Sequence, residues 1–120
     1  MTTTTKTRAP EGYTFACERV AIPTRGKKTV QIGDVTVLIV ACDEHLYAVE
    51  DRCPQTGQSI VHGTVLSCVL TTPTGARYSL TTGQYLGGIE LPLQLQSHWL
   101  TLFPLKVIED RVYVRLPGER

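Results

Sequence analysis

A run of aliphatic and β-branched residues at positions 35–41 constrains the fold of this chain more than any other segment. The run is bounded by the turn pair Gly33-Asp34 and by the polar triplet at residues 43–45. A short apolar run between turn signals is typical of a strand that is buried on both faces. Residues 46–49 return the chain after the triplet, so an antiparallel hairpin within a larger sheet is predicted here.

Further strand-like segments recur at intervals of about 8–12 residues, with turn signals between them. They are found at residues 64–70, 77–80, 105–108 and 112–116. This spacing is typical of an all-β sandwich or barrel. Residues 85–100 are less regular, and the sequence leaves open whether they form a loop over the sheet or a short helix.

Domain organisation follows from length and composition. The chain has 120 residues, of which 42% are hydrophobic and 19% charged, a balance that excludes wholesale disorder. The polar, Thr-rich residues 1–10 are predicted to be a flexible tail, and residues 11–118 a single domain.

Charge, hydropathy and cysteine spacing exclude several classes of protein. The formal net charge is +1 and the longest basic stretch is residues 25–28, so no nucleic-acid partner is predicted. No apolar run approaches the roughly 18 residues of a membrane helix. The N-terminus lacks an apolar signal core, which predicts a cytoplasmic protein without a membrane span. Because the four cysteines include no Cys-x-x-Cys pair, four reduced thiols are expected.

Three segments resemble the Rieske-type ferredoxin family. Residues 46–54, followed by Gly57 and Gly63, resemble the first cluster-binding loop of that family. Residues 75–83 resemble the segment after the second loop, and residues 103–114 resemble the closing hairpin. The resemblance implies an all-β fold, a Rieske-like antiparallel β-sandwich of three sheets. It also implies a small cluster-binding-type subdomain at about residues 51–83.

The family signature is Cys-x-His in the first loop and Cys-x-x-His in the second, which together hold a two-iron two-sulfur cluster. The matching positions here are Cys53, Gln55, Thr71 and Thr74, so three of the four ligands are replaced. An amide oxygen and an un-ionised hydroxyl are weak iron ligands compared with a thiolate or an imidazole. The resemblance therefore implies a degenerate member with no cofactor and no metal, in which Gln55, Thr71 and Thr74 hydrogen-bond across the gap.

Two alternatives stay open at this point. One is a working ferredoxin, an electron carrier whose two-iron two-sulfur cluster is held by atypical ligands. The other is a thiol redox sensor using Cys53 and Cys68, which requires their Cα atoms to lie within roughly 7 Å of each other. A scattered metal site made of His45, Cys53, His62 and Cys68 is not expected, because it lacks the close ligand pairs of zinc sites.

The resemblance points to a non-catalytic, accessory role. Rieske ferredoxins dock their loop tip onto redox partners, and the small subunit of some assimilatory nitrite reductases is a family precedent for missing ligands. We therefore expect a protein-interaction subunit that docks at the loop tip onto a redox protein or enzyme subunit. No nucleophile can be placed beside a histidine base, so no enzyme is predicted. The residues expected to form the partner surface are Pro54, Pro73, Leu91, Leu93 and Trp99.

For two features of the sequence, a structural interpretation is as open as a functional one. Cys53 is either a partly buried structural thiol or a redox thiol paired with Cys68, whereas Cys17 and Cys42 are predicted to be small apolar fillers. The period-two alternation at residues 91–96 either lays one apolar face over the sheet or exposes a patch for a partner.

Overall fold

The computed structural model describes residues 9–96 and 98–117, so most of the predicted tail at residues 1–10 lies outside the described residues. Within that part of the chain the elements are short strands, one 3₁₀ turn at Arg19–Ala21 and one short helix. The elements, in chain order, are β1 (Thr14–Glu18), β2 (Lys27–Ile32), β3 (Val35–Cys42), β4 (His45–Glu50), β5 (Thr64–Leu66), β6 (Val69–Thr71), β7 (Arg77–Ser79), β8 (Tyr85–Gly87), α1 (Leu93–Gln96), β9 (Leu102–Phe103), β10 (Leu105–Ile108) and β11 (Arg111–Val114).

The strands form three antiparallel sheets, which confirms the all-β prediction. Their strand orders are β1-β11-β10, β2-β3-β4-β9 and β5-β6-β7-β8. The β2-β3-β4-β9 sheet lies in the middle, because one apolar core joins it to the first sheet and a second core joins it to the third. We call residues 51–100, with the third sheet and its loops, the tip, and the other described residues the base.

Strand β3 explains how one sheet serves two cores. Val37 and Ile39 point into the base core, while Leu38 and Val40 point into the tip core. All four are at most 1% exposed. Because side chains alternate across a strand, only an uninterrupted apolar run satisfies both faces, and the predicted doubly buried strand is confirmed. Each such side chain contributes roughly 1.5–3 kcal/mol by leaving water.

Two-residue turns close four of the hairpins, and in three of them both turn residues have positive φ angles. Asp43 and Glu44 connect β3 to β4, and both have positive φ angles, 53° and 66°. Ser67 and Cys68 connect β5 to β6 in the same way, with φ angles of 54° and 59°. Such turns match the twist of the strands they join. The single strand predicted over residues 64–70 is therefore wrong: it is two strands, and Cys68 lies in the turn between them.

The irregular stretch at residues 85–100 contains both a strand and a helix. After β8 the chain forms α1, and the Leu95 amide donates to the Pro92 carbonyl at 2.9 Å. Leu93 is 82% exposed, so the prediction of one apolar face laid over the sheet is wrong and the helical period applies. Proline just before a helix start is favourable because its φ is already helical.

Membrane insertion through a helix finds no support in the fold. Among the residues described, none of the helical segments has the length and apolar character needed to cross a bilayer. The longest helical element is α1, which has four residues.

Candidate functional site

The first loop of the tip, residues 51–60, is closed by its own hydrogen bonds. The Cys53 amide donates to the Gln58 carbonyl at 2.7 Å. The Asp51 carboxylate accepts from the Ile60 amide at 2.7 Å, which holds the loop against the end of β4. These bonds fix the loop backbone.

Cys53 belongs to the tip core. Its side chain is 3% exposed and packs in the same cluster as Leu70, Ala76 and Tyr78. It is a free thiol. The thiol is thus buried more completely than the partly buried loop residue expected from the sequence.

Gln55 connects three elements of the tip. Its Nε2 donates to the Tyr78 hydroxyl at 2.8 Å and to the Leu95 carbonyl at 3.3 Å, and lies 3.5 Å from the His98 carbonyl. Its Oε1 is buried and has no hydrogen-bond partner among the described residues. The Gln55 amide therefore joins the first loop to β7 and to α1. Gln55 forms these hydrogen bonds instead of the expected ones across the gap to Thr71 and Thr74.

Tyr78 is the buried end of this connection. Its side chain is 0% exposed, and burial raises the pKa of its hydroxyl, while the hydrogen bond from Gln55 partly offsets that rise. The Tyr78 and Tyr85 rings lie 5.6 Å apart in a tilted arrangement, and the Tyr85 hydroxyl donates to the Ile89 carbonyl at 2.5 Å. Sequence reasoning missed Tyr78 because a strand tyrosine is ordinarily interpreted as core alone.

The second loop, residues 71–76, is closed by a threonine that the sequence analysis did not select. Thr72 is 3% exposed, and its hydroxyl accepts from the Ala76 amide at 3.2 Å. The same hydroxyl lies 3.0 Å from the Thr74 hydroxyl, so these two side chains satisfy each other. Thr71 is the last residue of β6 and pairs with Thr64. Threonine followed by Pro73 was the available signal for such a local turn.

Both loops contact the segment at residues 88–98. The first loop reaches it through the hydrogen bond from Gln55 to the Leu95 carbonyl. In the second loop, Gly75 has a φ of +102°, and a Cβ built on Gly88 would overlap the Gly75 carbonyl oxygen. Glycine is therefore required at position 88 for this approach. The two loops and the segment form one continuous end of the molecule.

The side chains predicted to form the partner surface differ in exposure. Leu93 is 82% exposed and Trp99 is 48% exposed. Pro73 is exposed, whereas Pro54 and Leu91 are half-buried. We refer to these five residues as the tip surface.

The four positions that the sequence resemblance aligns with the family's ligands offer one thiol, one amide and two hydroxyls, on Cys53, Gln55, Thr71 and Thr74. The amide is already hydrogen-bonded, and the Thr74 hydroxyl is engaged with Thr72. The tip also carries two imidazoles, His62 and His98, and both residues are exposed. This donor set does not fit a cluster that takes two thiolates and two imidazoles.

Cys68 is bonded to Cys42, not to Cys53. The disulfide joins Cα atoms 5.7 Å apart and 26 residues apart in sequence. The expectation of four reduced thiols is therefore wrong, and the alternative that paired Cys53 with Cys68 is not the pairing found. Both Cys53 and Cys68 pack at the tip core, but Cys68 lies in the β5–β6 turn, where its sulfur is bonded to Cys42 at the end of β3. Cys17 remains a free thiol, and burial raises its pKa.

Residues 12–115 match the model of a protein family described as the Rieske-like [2Fe-2S] domain. The ferredoxin of carbazole 1,9a-dioxygenase from Nocardioides aromaticivorans is 13% identical, with a TM-score of 0.74, over 88% of this chain and 98% of that chain. A protein described as a putative NADH-dependent nitrite reductase small subunit, from Mycobacterium tuberculosis, is 20% identical, with a TM-score of 0.68. The match covers 85% of this chain and 92% of that chain.

A third similar structure is a chain from the complex of reduced oxygenase and oxidized ferredoxin in carbazole 1,9a-dioxygenase. It is 23% identical, with a TM-score of 0.72, over 92% of this chain and 97% of that chain. A search of curated protein sequences finds no significant match. At these identities the structural likenesses show the fold.

Proposed function

Because the chain belongs to the Rieske-like [2Fe-2S] domain family, we propose that it is a cluster-free member that serves as a non-catalytic docking subunit of a redox system. The observation that carries the proposal is the state of Gln55. The amide occupies the position of the first histidine ligand and is hydrogen-bonded to Tyr78 and Leu95. An iron ligand at this position would have to give up both bonds.

The chemistry of the donors supports the absence of a cluster. A two-iron two-sulfur centre needs four soft or nitrogen donors aimed at two irons. Cys53 is the one such donor at the four positions, and it packs in an apolar core. With a single thiolate available, neither iron would have its pair of protein ligands.

The hydrogen bonds of the tip support a structural replacement for the metal. Gln55 joins the first loop to β7 and α1, and Thr72 closes the second loop. In a low-dielectric environment such buried hydrogen bonds hold a single arrangement, because breaking one leaves a polar group unsatisfied. The loops can therefore keep a defined shape for a partner without iron.

The tip surface supports a docking role. Leu93 and Trp99 place large apolar area in solvent at the end of the molecule where both loops converge. Aromatic anchors such as Trp99 carry much of the binding energy in protein interfaces, and the apolar contacts around them exclude water. The known complex of an oxygenase with its ferredoxin suggests the partner class, a redox enzyme or its catalytic subunit. A cytoplasmic location is part of the same proposal.

The direct test of the missing cluster is a metal and sulfide assay on protein purified without oxygen. We expect a colourless protein with far less than one iron and one acid-labile sulfide per chain. Iron and sulfide in a ratio of about two to two, with the visible absorption of a cluster, would contradict the proposal. That result would instead support the second candidate, an electron carrier with atypical ligands, which the family's description favours.

The docking role is tested by titrating the protein with two enzymes of the same organism, a nitrite reductase catalytic subunit and a terminal oxygenase. Leu93→Asp should weaken binding to the true partner by about tenfold or more, since interface anchors commonly contribute 2 kcal/mol or more. Val20→Asp is the matched control, because Val20 is 88% exposed but lies in the base. Equal affinity of both variants and the native chain, or no binding to either enzyme, would contradict docking through the tip.

A further inference from the structure

The Cys42–Cys68 disulfide lies where two hairpin turns meet. Cys42 is the last residue of β3 and precedes the turn of Asp43 and Glu44. Cys68 is the second residue of the β5–β6 turn. Each turn has backbone geometry fixed by its flanking ladder, so each cysteine backbone is held by its own hairpin, and the two Cα atoms lie 5.7 Å apart.

A third donor accompanies the two sulfurs. The Asp43 Oδ2 lies 3.5 Å from the Cys68 Sγ, and the two sulfurs and a carboxylate oxygen of Asp43 all lie within 4.8 Å of one another. Thiolate-to-zinc and carboxylate-to-zinc distances are about 2.3 Å and 2.0–2.2 Å, so ligands around one zinc ion lie within about 4 Å of each other. The Asp43 oxygen meets that spacing, and the two sulfurs, which are bonded to each other here, must separate to it once they are reduced.

His45 supplies a fourth donor on the face of the sheet to which Cys42 points. His45 is directly opposite Cys42 in the β3–β4 pairing, and side chains of opposite residues point to the same face of the sheet. His45 is exposed, so its imidazole has freedom to turn toward the sulfurs. Two thiolates, an imidazole and a carboxylate form a donor set that suits zinc.

The surroundings carry charges of both signs. Arg19 and Arg25 line the same surface depression as Cys42, Asp43 and His45, and so do Glu44 and Asp110. Two thiolates and one carboxylate around a divalent cation carry a net charge of −1, so the bound ion would add little net charge to this mixed lining. The site is also at the surface, so a metal ion can enter without unfolding the tip.

We propose that the reduced form of this pair is a metal site in which Cys42, Asp43, His45 and Cys68 bind one zinc ion. The oxidised form is closed to metal because both sulfurs are in the disulfide. A dithiol reductant donates two electrons and two protons, is itself oxidised to a disulfide, and leaves two protein thiols. Zinc then replaces the two thiol protons, which are released to solvent. A reducing compartment would favour the thiol form.

The test uses the full chain reduced with a phosphine, desalted without oxygen and titrated with cobalt(II), which reports zinc sites by its colour. We expect one cobalt per chain, with thiolate-to-cobalt charge-transfer absorption and the intense visible bands of tetrahedral coordination. Zinc should displace the cobalt and remove the colour. The unreduced protein should give no such spectrum, which makes it its own control.

Variants assign the ligands. Cys42→Ser with Cys68→Ser should abolish the spectrum, whereas Cys17→Ser and Cys53→Ser should leave it unchanged. Because loss of even an outer partner of a metal ligand costs 10–100-fold in affinity, Asp43→Asn and His45→Ala should each weaken cobalt binding by about tenfold or more. Circular dichroism of each variant separates loss of the site from loss of the fold.

Three outcomes would overturn the proposal. The first is a reduced native chain that binds no more cobalt than the double serine variant. The second is a signal that disappears with Cys53→Ser, which would place the metal in the first loop of the tip. The third is an affinity for cobalt that does not change after His45→Ala, which would show that His45 is not a ligand.

Discussion

The base and the tip of this molecule are stabilised in different ways. In the base, β3 pairs along its length with β2 on one side and β4 on the other, and the buried cluster is entirely apolar. In the tip, the four strands have three residues each, and the buried groups include the Thr72 hydroxyl, the Gln55 amide and the Tyr78 hydroxyl. A disulfide joins the two regions.

The difference between the two regions shows that a sheet of short strands needs specific cross-links for its stability. Strands of three residues bury little area, and hydrophobic burial alone stabilises such a unit poorly. The tip therefore depends on specific cross-links, each of which can be removed by one substitution. The base depends on apolar area distributed over many side chains. Substitutions in the two regions can separate these two modes of stabilisation.

The largest effects are expected from shortening neighbouring side chains of β3. Leu38→Ala and Ile39→Ala should each lower the free energy of unfolding by about 2–5 kcal/mol, since both residues are 0% exposed. Leu38 packs in the tip core and Ile39 in the base core. Hydrogen exchange should therefore show faster exchange in β6 and β7 for Leu38→Ala, and in β11 for Ile39→Ala. The same exchange pattern in both variants would contradict the separation into two cores.

Removal of the disulfide should be the next largest effect. Cys42→Ser with Cys68→Ser opens a loop closed over 26 residues, which should cost about 3 kcal/mol. Denaturant unfolding measures the loss, and exchange should rise in β5 and β6 more than in β10 and β11. The reduced native chain without added metal should behave like the double variant. A loss spread evenly over both regions would contradict a cross-link that acts on the tip.

Much of the base could be predicted from the sequence because its signals are local. The apolar run at residues 35–41 and the alternation at residues 105–116 each specify a strand through their own side chains. The turn at Ser67 and Cys68 escaped prediction because neither residue is glycine or asparagine, the usual choices for positive φ. The strand predicted over residues 64–70 is therefore divided by this turn into β5 and β6.

The candidate site was predicted in part. The positions proposed to correspond to the family's ligands come from the resemblance alone, through the flanking glycines and strands. The partners of Gln55 and of Cys68 could not, because Tyr78, Leu95 and Cys42 are brought to them by long-range packing between sheets. The helical turn at Leu93 could be given only as one of two alternatives, because a four-residue helix has too few residues to show a period.

A smaller effect is expected from the Gln55–Tyr78 hydrogen bond. Gln55→Ala leaves the buried Tyr78 hydroxyl without its donor, which should cost about 1–3 kcal/mol. Tyr78→Phe removes the hydroxyl, so in that background Gln55→Ala should lower the free energy of unfolding by less. A double-mutant cycle should therefore give a coupling energy of about 0.5–1 kcal/mol or more. Coupling near zero would show that the bond does not hold the tip.

The same tyrosine predicts a dependence on alkaline pH. The pKa of Tyr78 is raised above its ordinary value of 10.0 by burial, so the unfolded chain loses the proton first. The contribution of this group is complete below about pH 10 and is lost as the pH rises through the folded-state pKa. Stability of Tyr78→Phe, measured by denaturant unfolding between pH 8 and pH 11, should therefore fall less steeply than that of the native chain.

The smallest expected effect concerns backbone strain in the base. Glu44 has a φ of +66°, where a side chain is unfavourable and glycine is not. Glu44→Gly should raise the free energy of unfolding by about 0.5–1 kcal/mol. Glu90→Gly is the matched control, since Glu90 is also exposed but has no positive φ, and it should lower stability or leave it unchanged. Destabilisation by both substitutions would contradict strain at this turn.

The central claim is that the cross-links of the tip have replaced a cluster, and reconstitution with iron and sulfide tests it most directly. The native chain should remain colourless after anaerobic reconstitution. Gln55→His combined with Thr71→Cys and Thr74→His restores the family's donor types around Cys53, and this variant should take up iron and sulfide and become reddish-brown. A native chain that binds a stable cluster would contradict the claim, and a folded triple variant that binds no iron would contradict the assignment of the second-loop positions.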